Sequence, residues 1–186
     1  KSAPTQKLAA TPTRFHVENM PGVPYLLFPR VSSERRLFLP VGFIDKSTLT
    51  SDSALMTSGA EIYHFGIISS TMHNAWMRSV AGRLKSDYRY SAGIVYNNFP
   101  WPENPTDKQK QAIETAAQEV LDARAQFPDS SLADLYDPLT MPPALLKAHQ
   151  KLDKAVDSAY GKTRFNTEAE RVAFLFGLYQ KYIENA

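Results

Sequence analysis

The chain has 186 residues, 43% of them hydrophobic, with no cysteine and a formal net charge of +2. That length holds one generous domain or two small ones around a real core, and the lack of cysteine excludes a disulfide framework, a thiol nucleophile and a cysteine-bound zinc. The charge is uneven: residues 1–100 carry 11 Lys/Arg against 6 Asp/Glu, a net +5, and residues 101–186 carry 10 against 13, a net −3. Such a split suits a first half that meets a polyanion. No apolar run approaches the ~20 residues of a membrane span, so no membrane partner is expected. The N-terminus, KSAPTQKLAATPTRF, lacks the apolar middle of a signal peptide and begins without Met. It reads as part of a longer, cytoplasmic protein.

In chain order, VPYLLF (23–28) and LFLPVGF (37–43) are predicted strands, with Pro40 pointing to an edge or a bulge. SALMTS (53–58) is a weaker strand, and AEIYHFGII (60–68) fits helix or strand. STMHNAWMRSVAG (70–82) is a predicted helix capped by Ser70 and ended by Gly82, with Met72, Ala75, Trp76, Ser79 and Val80 on one face. YRYSAGIVYNNF (88–99) reads as a kinked strand, and PWPENP (100–105) is the clearest boundary, because its prolines stop helix and sheet alike.

Beyond the boundary the pattern turns helical. Thr106 with Gln109 forms a capping box ahead of the stripe Ile113, Ala116, Ala117, Val120 and Leu121. PDSSLADLYDP (128–138) is a loop around one helical turn. Pro142 and Pro143 open a second long helix, with Leu145, Ala148, Leu152, Ala155, Val156 and Ala159 inward and Gly161 closing it. Thr167 with Glu170 caps a third, lined by Val172, Leu175, Phe176, Tyr179 and Tyr182. The fold class is therefore α+β: a mixed α/β unit over 1–102, then an all-α region of about three long helices over 103–186.

No catalytic constellation emerges. His16, His64, His73 and His149 form no metal pattern, and His149 with Asp153 four residues on reads as a surface or interhelical hydrogen bond. There is no nucleophile elbow, phosphate loop or dinucleotide fingerprint. NNFPWP has a passing likeness to the Asn-Pro-Pro-aromatic loop of adenine methyltransferases, but the prolines do not follow the Asn directly. One cluster stands out: Arg78, Arg83, Lys85 and Arg89 oppose the single acid Asp87 over 78–89, among aromatics. This pattern fits nucleic acid. It fits equally a solvated helix end with a Lys85–Asp87 ion pair.

Three runs carry a resemblance: FPRVSSERRLFLPVGF (28–43), FGIISSTMHNAWMRSVAGRLKSDYRYSAGIVYNNFPWP (65–102) and LADLYDPLTMPPALLKAHQKLDKAVDSAYG (132–161). They resemble the C-terminal part of the MmeI-like enzymes, large single-chain restriction–modification proteins. The resemblance implies that 1–102 is most of a target recognition domain and 103–186 a C-terminal helical domain. It also implies double-stranded DNA as partner and an upstream adenine methyltransferase domain in the same bacterial polypeptide. S-adenosylmethionine, and Mg for cleavage, would belong to those other domains, leaving no cofactor in this chain. By the same resemblance Lys85, Asp87 and Arg89 fall at base-reading positions, with Ser53 a further one upstream. Residues spaced i, i+2 on an extended segment share a side, so Lys85 and Asp87 are expected to share one G·C pair. Arg35, Arg36, Arg78 and Arg83 are expected on phosphates, which position without specifying, though Arg35 and Arg36 also fit a charged hairpin edge. Two other functions fit the same residues. One is a scaffolding helical fragment with little DNA affinity; the other is a structured-RNA binder, marked by preference for A-form duplex.

Overall fold

The computed structural model describes residues 2–14, 20–161 and 165–184; His16 lies outside them. A short helix, α1 (Ala3–Leu8), precedes two small antiparallel sheets. The first has the order β3 (Gly42–Ile44), β1 (Tyr25–Pro29), β4 (Ala54–Ser58), with Leu26 opposite Phe43 on one side and Thr57 on the other. The second has the order β2 (Val31–Ser32), β6 (Asp87–Arg89), β5 (Gly82–Leu84). One stretch of chain serves both sheets, since β1 runs into β2 with only Arg30 between. Between β4 and β5 lie α2 (Ile62–Ile68) and α3 (Thr71–Val80). The helical part comprises α4 (Asp107–Ala125), the single turn α5 (Leu132–Leu135), α6 (Pro143–Ala159) and α7 (Glu168–Glu184). The α+β reading holds.

Caps expected from the sequence form as side-chain chemistry requires. The Ser70 hydroxyl accepts from the His73 N–H, and Thr106 and Gln109 exchange both bonds of a capping box. Glu170 N–H donates to the Thr167 hydroxyl at 3.2 Å. Gly161 takes φ +76° after α6, the left-handed stop that glycine adopts without strain. The ambiguous 60–68 segment is helical. Its Gly66 explains why it packs so closely: a Cβ there would lie 2.7 Å from Ile113 Cγ2 and 3.1 Å from Ala117 Cβ.

That approach makes one core of the two parts. Phe65, Ile67 and Ile68 of α2, Met72 and Trp76 of α3, Ile113 and Val120 of α4, Leu152 and Val156 of α6 and Leu175 of α7 belong to a single buried cluster. α3 is buried over Met72–Met77, nearly all round, rather than along one stripe.

Two predicted strands are corrected. Residues 37–41 form no ladder because side chains have taken their backbone groups. Asn74 Oδ1 accepts from Leu39 N–H at 2.9 Å, Arg78 donates to the Arg36 and Leu37 carbonyls, and Arg124 donates to the Val41 carbonyl at 2.7 Å. Pro40 has no N–H to give. The 88–99 segment is strand only to Arg89. Ser91 then caps a π-helical turn, Ala92–Tyr96, held by Asn98 donating to the Gly93 and Ile94 carbonyls and by Trp76 Nε1 donating to Val95. Gly82, expected to end α3, begins β5 instead; the C-cap is Ala81.

The expected His149–Asp153 pair is also corrected. His149 is fully buried, stacked on Phe38 at 4.0 Å between ring centroids, with Nε2 2.7 Å from the Tyr136 hydroxyl. Arg124 donates from Nε to that same hydroxyl oxygen at 2.8 Å, so the Tyr136 O–H is left to donate to His149. Burial first, and the Arg124 charge second, lower the His149 pKa to about 3. Asp153 instead accepts the Thr71 N–H at 2.7 Å.

Candidate nucleic-acid interface

The cluster at 78–89 divides into a structural half and an exposed half. Strands β5 and β6 form a hairpin, with Leu84 opposite Asp87 across the two-residue turn Lys85–Ser86. The turn needs a positive φ, and Lys85 supplies it at +57°. That costs a non-glycine residue about 1 kcal/mol, strain held by the strands on either side. Lys85 therefore stands at the tip, not on an extended run with Asp87 as expected. The pair that shares a strand face is Asp87 and Arg89. They point outward on β6, while Tyr88 between them is buried at 8% exposure.

Asp87 does not pair with Lys85. Its Oδ1 accepts the Glu34 N–H at 3.3 Å. Arg83 closes the hairpin from β5: its Nη1 donates to the Ser86 carbonyl at 2.6 Å and approaches Glu34 at 3.4 Å, with the guanidinium 3.9 Å over the Tyr88 ring.

Ser53 comes to the same edge through a backbone relay. Arg30 N–H donates to the Ser53 carbonyl at 3.0 Å, and the Arg30 carbonyl accepts from Tyr90 N–H at 2.8 Å. One residue thus ties the 51–53 loop to the end of β6. The Ser53 hydroxyl lies 2.5 Å from that of Ser51. A cleft of about 470 Å³ opens here, lined by Arg30, Leu55, Arg89, Tyr90, Ser91 and Ile94 among others.

Reasoning from sequence missed Arg30 and Asp52. Their side chains form an ion pair at 2.8 Å beside the cleft, with Asp52 93% exposed. No local signal marks an Arg after a strand or an Asp in a serine-rich loop. Only the β1–β4 register, with Pro29 opposite Ala54, brings them together.

Of the expected phosphate contacts, Arg35 is exposed on the turn after β2 and Arg36 is half-buried beside it. Arg78 has another task. It is 19% exposed, and it donates to the Glu168 carboxylate of α7 at 2.5 Å and to the Arg36 and Leu37 carbonyls at 2.8 and 3.1 Å. These contacts join α3, the 36–37 segment and α7. Arg83 is likewise engaged within the hairpin. Among the described residues, no group of His, Cys, Asp or Glu could hold a metal ion, and no helix is long and apolar enough to cross a membrane.

Fold and edge together define a two-part chain, a mixed α/β unit that presents a polar hairpin and a helical unit that completes its core. The chain belongs to the MmeI family. Residues 1–103 match the family model of the MmeI target recognition domain, and residues 105–185 that of the MmeI C-terminal domain. It is 44% identical to DNA methyltransferase A of Bacillus subtilis (strain 168) over 97% of its own length and 20% of that protein's. It is similar to the Type IIL restriction-modification enzyme MmeI in complex with DNA, with a TM-score of 0.91 and 54% identity. That match covers 99% of this chain and 24% of MmeI. The chain thus spans a quarter or less of the length of either relative.

Proposed function

We propose that this chain is the sequence-reading module of a site-specific DNA N6-adenine methyltransferase, fused in its parent to an endonuclease, and that it reads double-stranded DNA with the β5–β6 hairpin. The observation that carries this is the hairpin edge itself. Lys85 stands at the tip and Asp87 and Arg89 face outward on β6, and the Arg89 end of that hairpin is tied through Arg30 to the Ser53 loop with its Arg30–Asp52 pair, in a family member's recognition domain. A two-stranded ribbon fits the major groove, about 12 Å wide. A cation there donates to guanine O6 or N7, and a carboxylate accepts from cytosine N4. Glu34 is bonded to one Asp87 oxygen, which leaves the second as the acceptor for a base. Arg35 is placed to meet phosphate and set the register.

In this reading the upstream methyltransferase domain is a partner within the same cytoplasmic polypeptide. It takes the flipped adenine and binds S-adenosylmethionine, and Mg serves cleavage elsewhere in the parent. Residues 1–102 read the site, and 103–186 hold the reader rigid through the shared core. No step of methyl transfer or cleavage runs through residues of this chain.

The test exchanges Lys85→Glu together with Asp87→Arg in the full-length parent, with methylated sites mapped by sequencing. The exchange reverses the charge at the tip and on the strand face, so preference is expected to change where these two side chains read while the other positions stay. Side chains that only face solvent would leave the site unchanged. An unchanged site with activity intact refutes the base-reading role.

A further inference from the structure

The reading hairpin is braced from outside by a turn that sequence patterns do not single out. Ser33–Arg36 closes with Arg36 N–H donating to the Ser33 carbonyl at 3.2 Å, and the Arg36 carbonyl is held by Arg78 from α3. At the crest of this turn, Glu34 makes two contacts with the hairpin. Its backbone N–H donates to Asp87 Oδ1 at 3.3 Å, and its carboxylate lies 3.4 Å from Arg83 Nη1, the group that also holds the Ser86 carbonyl at 2.6 Å. A rigid path therefore runs from the core through Arg78 to the turn, and from Glu34 to both ends of the Lys85–Asp87 tip.

The location of Glu34 needs a reason. An exposed carboxylate beside a DNA-facing rim repels phosphate. Its ion pair with Arg83 is roughly half-exposed on both sides, so it adds little to folding. What it does supply is direction. The Glu34 backbone N–H holds one Asp87 oxygen, and the carboxylate holds Arg83 beside the turn carbonyl. Base discrimination depends on the reading atoms being held in place before contact.

We propose that Glu34 is a positioning residue for sequence discrimination, setting the orientation of the Asp87 carboxylate and the hairpin tip without touching DNA. This rests on the base-reading role given to Lys85 and Asp87. The protein is incubated with short duplexes randomised over their centre, and the bound pool is sequenced to give a preference at each position. Three variants grade the brace. Glu34→Gln keeps an oxygen for Arg83. Glu34→Ala removes the carboxylate alone. Glu34→Pro removes carboxylate and N–H together, at the second position of a turn, where proline is favoured.

At the position that Asp87→Ala flattens, preference is expected to fall about threefold in Glu34→Ala and about tenfold in Glu34→Pro, one hydrogen bond at a time. Glu34→Gln should stay near the parent. Other positions and the unfolding midpoint should not move. If Asp87→Ala flattens a position that Glu34→Pro leaves intact, the brace has no role in reading and the inference is overturned. A uniform loss at all positions with a lower midpoint marks a merely structural residue and overturns it too. If neither Lys85→Ala nor Asp87→Ala changes any position, the hairpin does not read bases, and both proposals fall.

Discussion

Arg78→Ala separates two roles that the sequence leaves indistinguishable. As a phosphate contact, Arg78 would contribute to binding and almost nothing to folding. In the structure its side chain is 19% exposed, with three donor contacts, one to Glu168 and two to backbone carbonyls. The half-exposed Glu168 partner is worth at most about 1 kcal/mol. The two carbonyls lose a charged donor they share, and the two bonds together contribute about 1–2 kcal/mol. The total expected is about 2–3 kcal/mol. For a chain of this size, that lowers the thermal midpoint by roughly 5–10 °C. Urea unfolding of Arg78→Ala and Glu168→Ala, singly and together, measures it. The single losses should not add, because both break the same α3–α7 contact. DNA affinity measured well below the midpoint should keep its slope against log salt, since no released counterion is lost. An unchanged midpoint with a slope shallower by about one unit would return Arg78 to the phosphate backbone and refute the assignment.

Two further outcomes test the shared core and its ionisable groups. Gly66→Ala puts a methyl 2.7 Å from Ile113 Cγ2; overpacking of about 1–3 kcal/mol outweighs the ~1 kcal/mol gained in helix propensity, so a lower urea midpoint is expected, and a stabilised variant would show that α2 and α4 can separate freely. Burial raises the Asp153 carboxyl to about 6, and burial lowers His73 and His149 to about 3. A raised carboxyl binds its proton more tightly when folded, so Asp153 removes stability as pH climbs from about 4 to 6. The histidines act in the opposite sense, removing stability as pH falls below about 6.5. Asp153→Asn keeps an acceptor for Thr71 and should stabilise by about 1–2 kcal/mol at pH 7.5 and hardly at all at pH 4. Equal effects at both pH values would refute the assignment.

The helical half was the more legible part of the chain. Its caps and stripes are local, and Thr106, Thr167, Pro142, Pro143 and Gly161 sit where such residues stop or start helices. The 37–41 segment misled because the evidence against a strand lies far away. Asn74, Arg78 and Arg124 claim its backbone groups, and no window along 37–43 contains them. The 88–99 segment misled for a different reason. Its aromatic, β-branched run has strand composition, but Trp76 and Asn98 bind the carbonyls that a ladder would use. Composition marked Lys85, Asp87, Arg83 and Arg89 as one cluster. It could not divide them, since division depends on a turn at Lys85 and on Glu34, 53 residues before Asp87.

The division itself bears on how such an edge can change its target. On β6 the side chains alternate: Asp87 and Arg89 face out, and Tyr88 packs inward under Arg83. Outward residues contribute almost nothing to the core, so donors and acceptors can be exchanged there at little cost in folding. Register is a different matter. A slip of one residue would turn Tyr88 outward and drive Asp87 and Arg89 into the apolar interior, where an unpaired charge costs several kcal/mol. Tyr88 thus fixes which residues face outward, and Tyr88 belongs to the core cluster shared with α4, α6 and α7. On the proposed reading, the acidic helical tail bears on sequence choice without a DNA contact of its own, through the shared core that supports this three-residue strand.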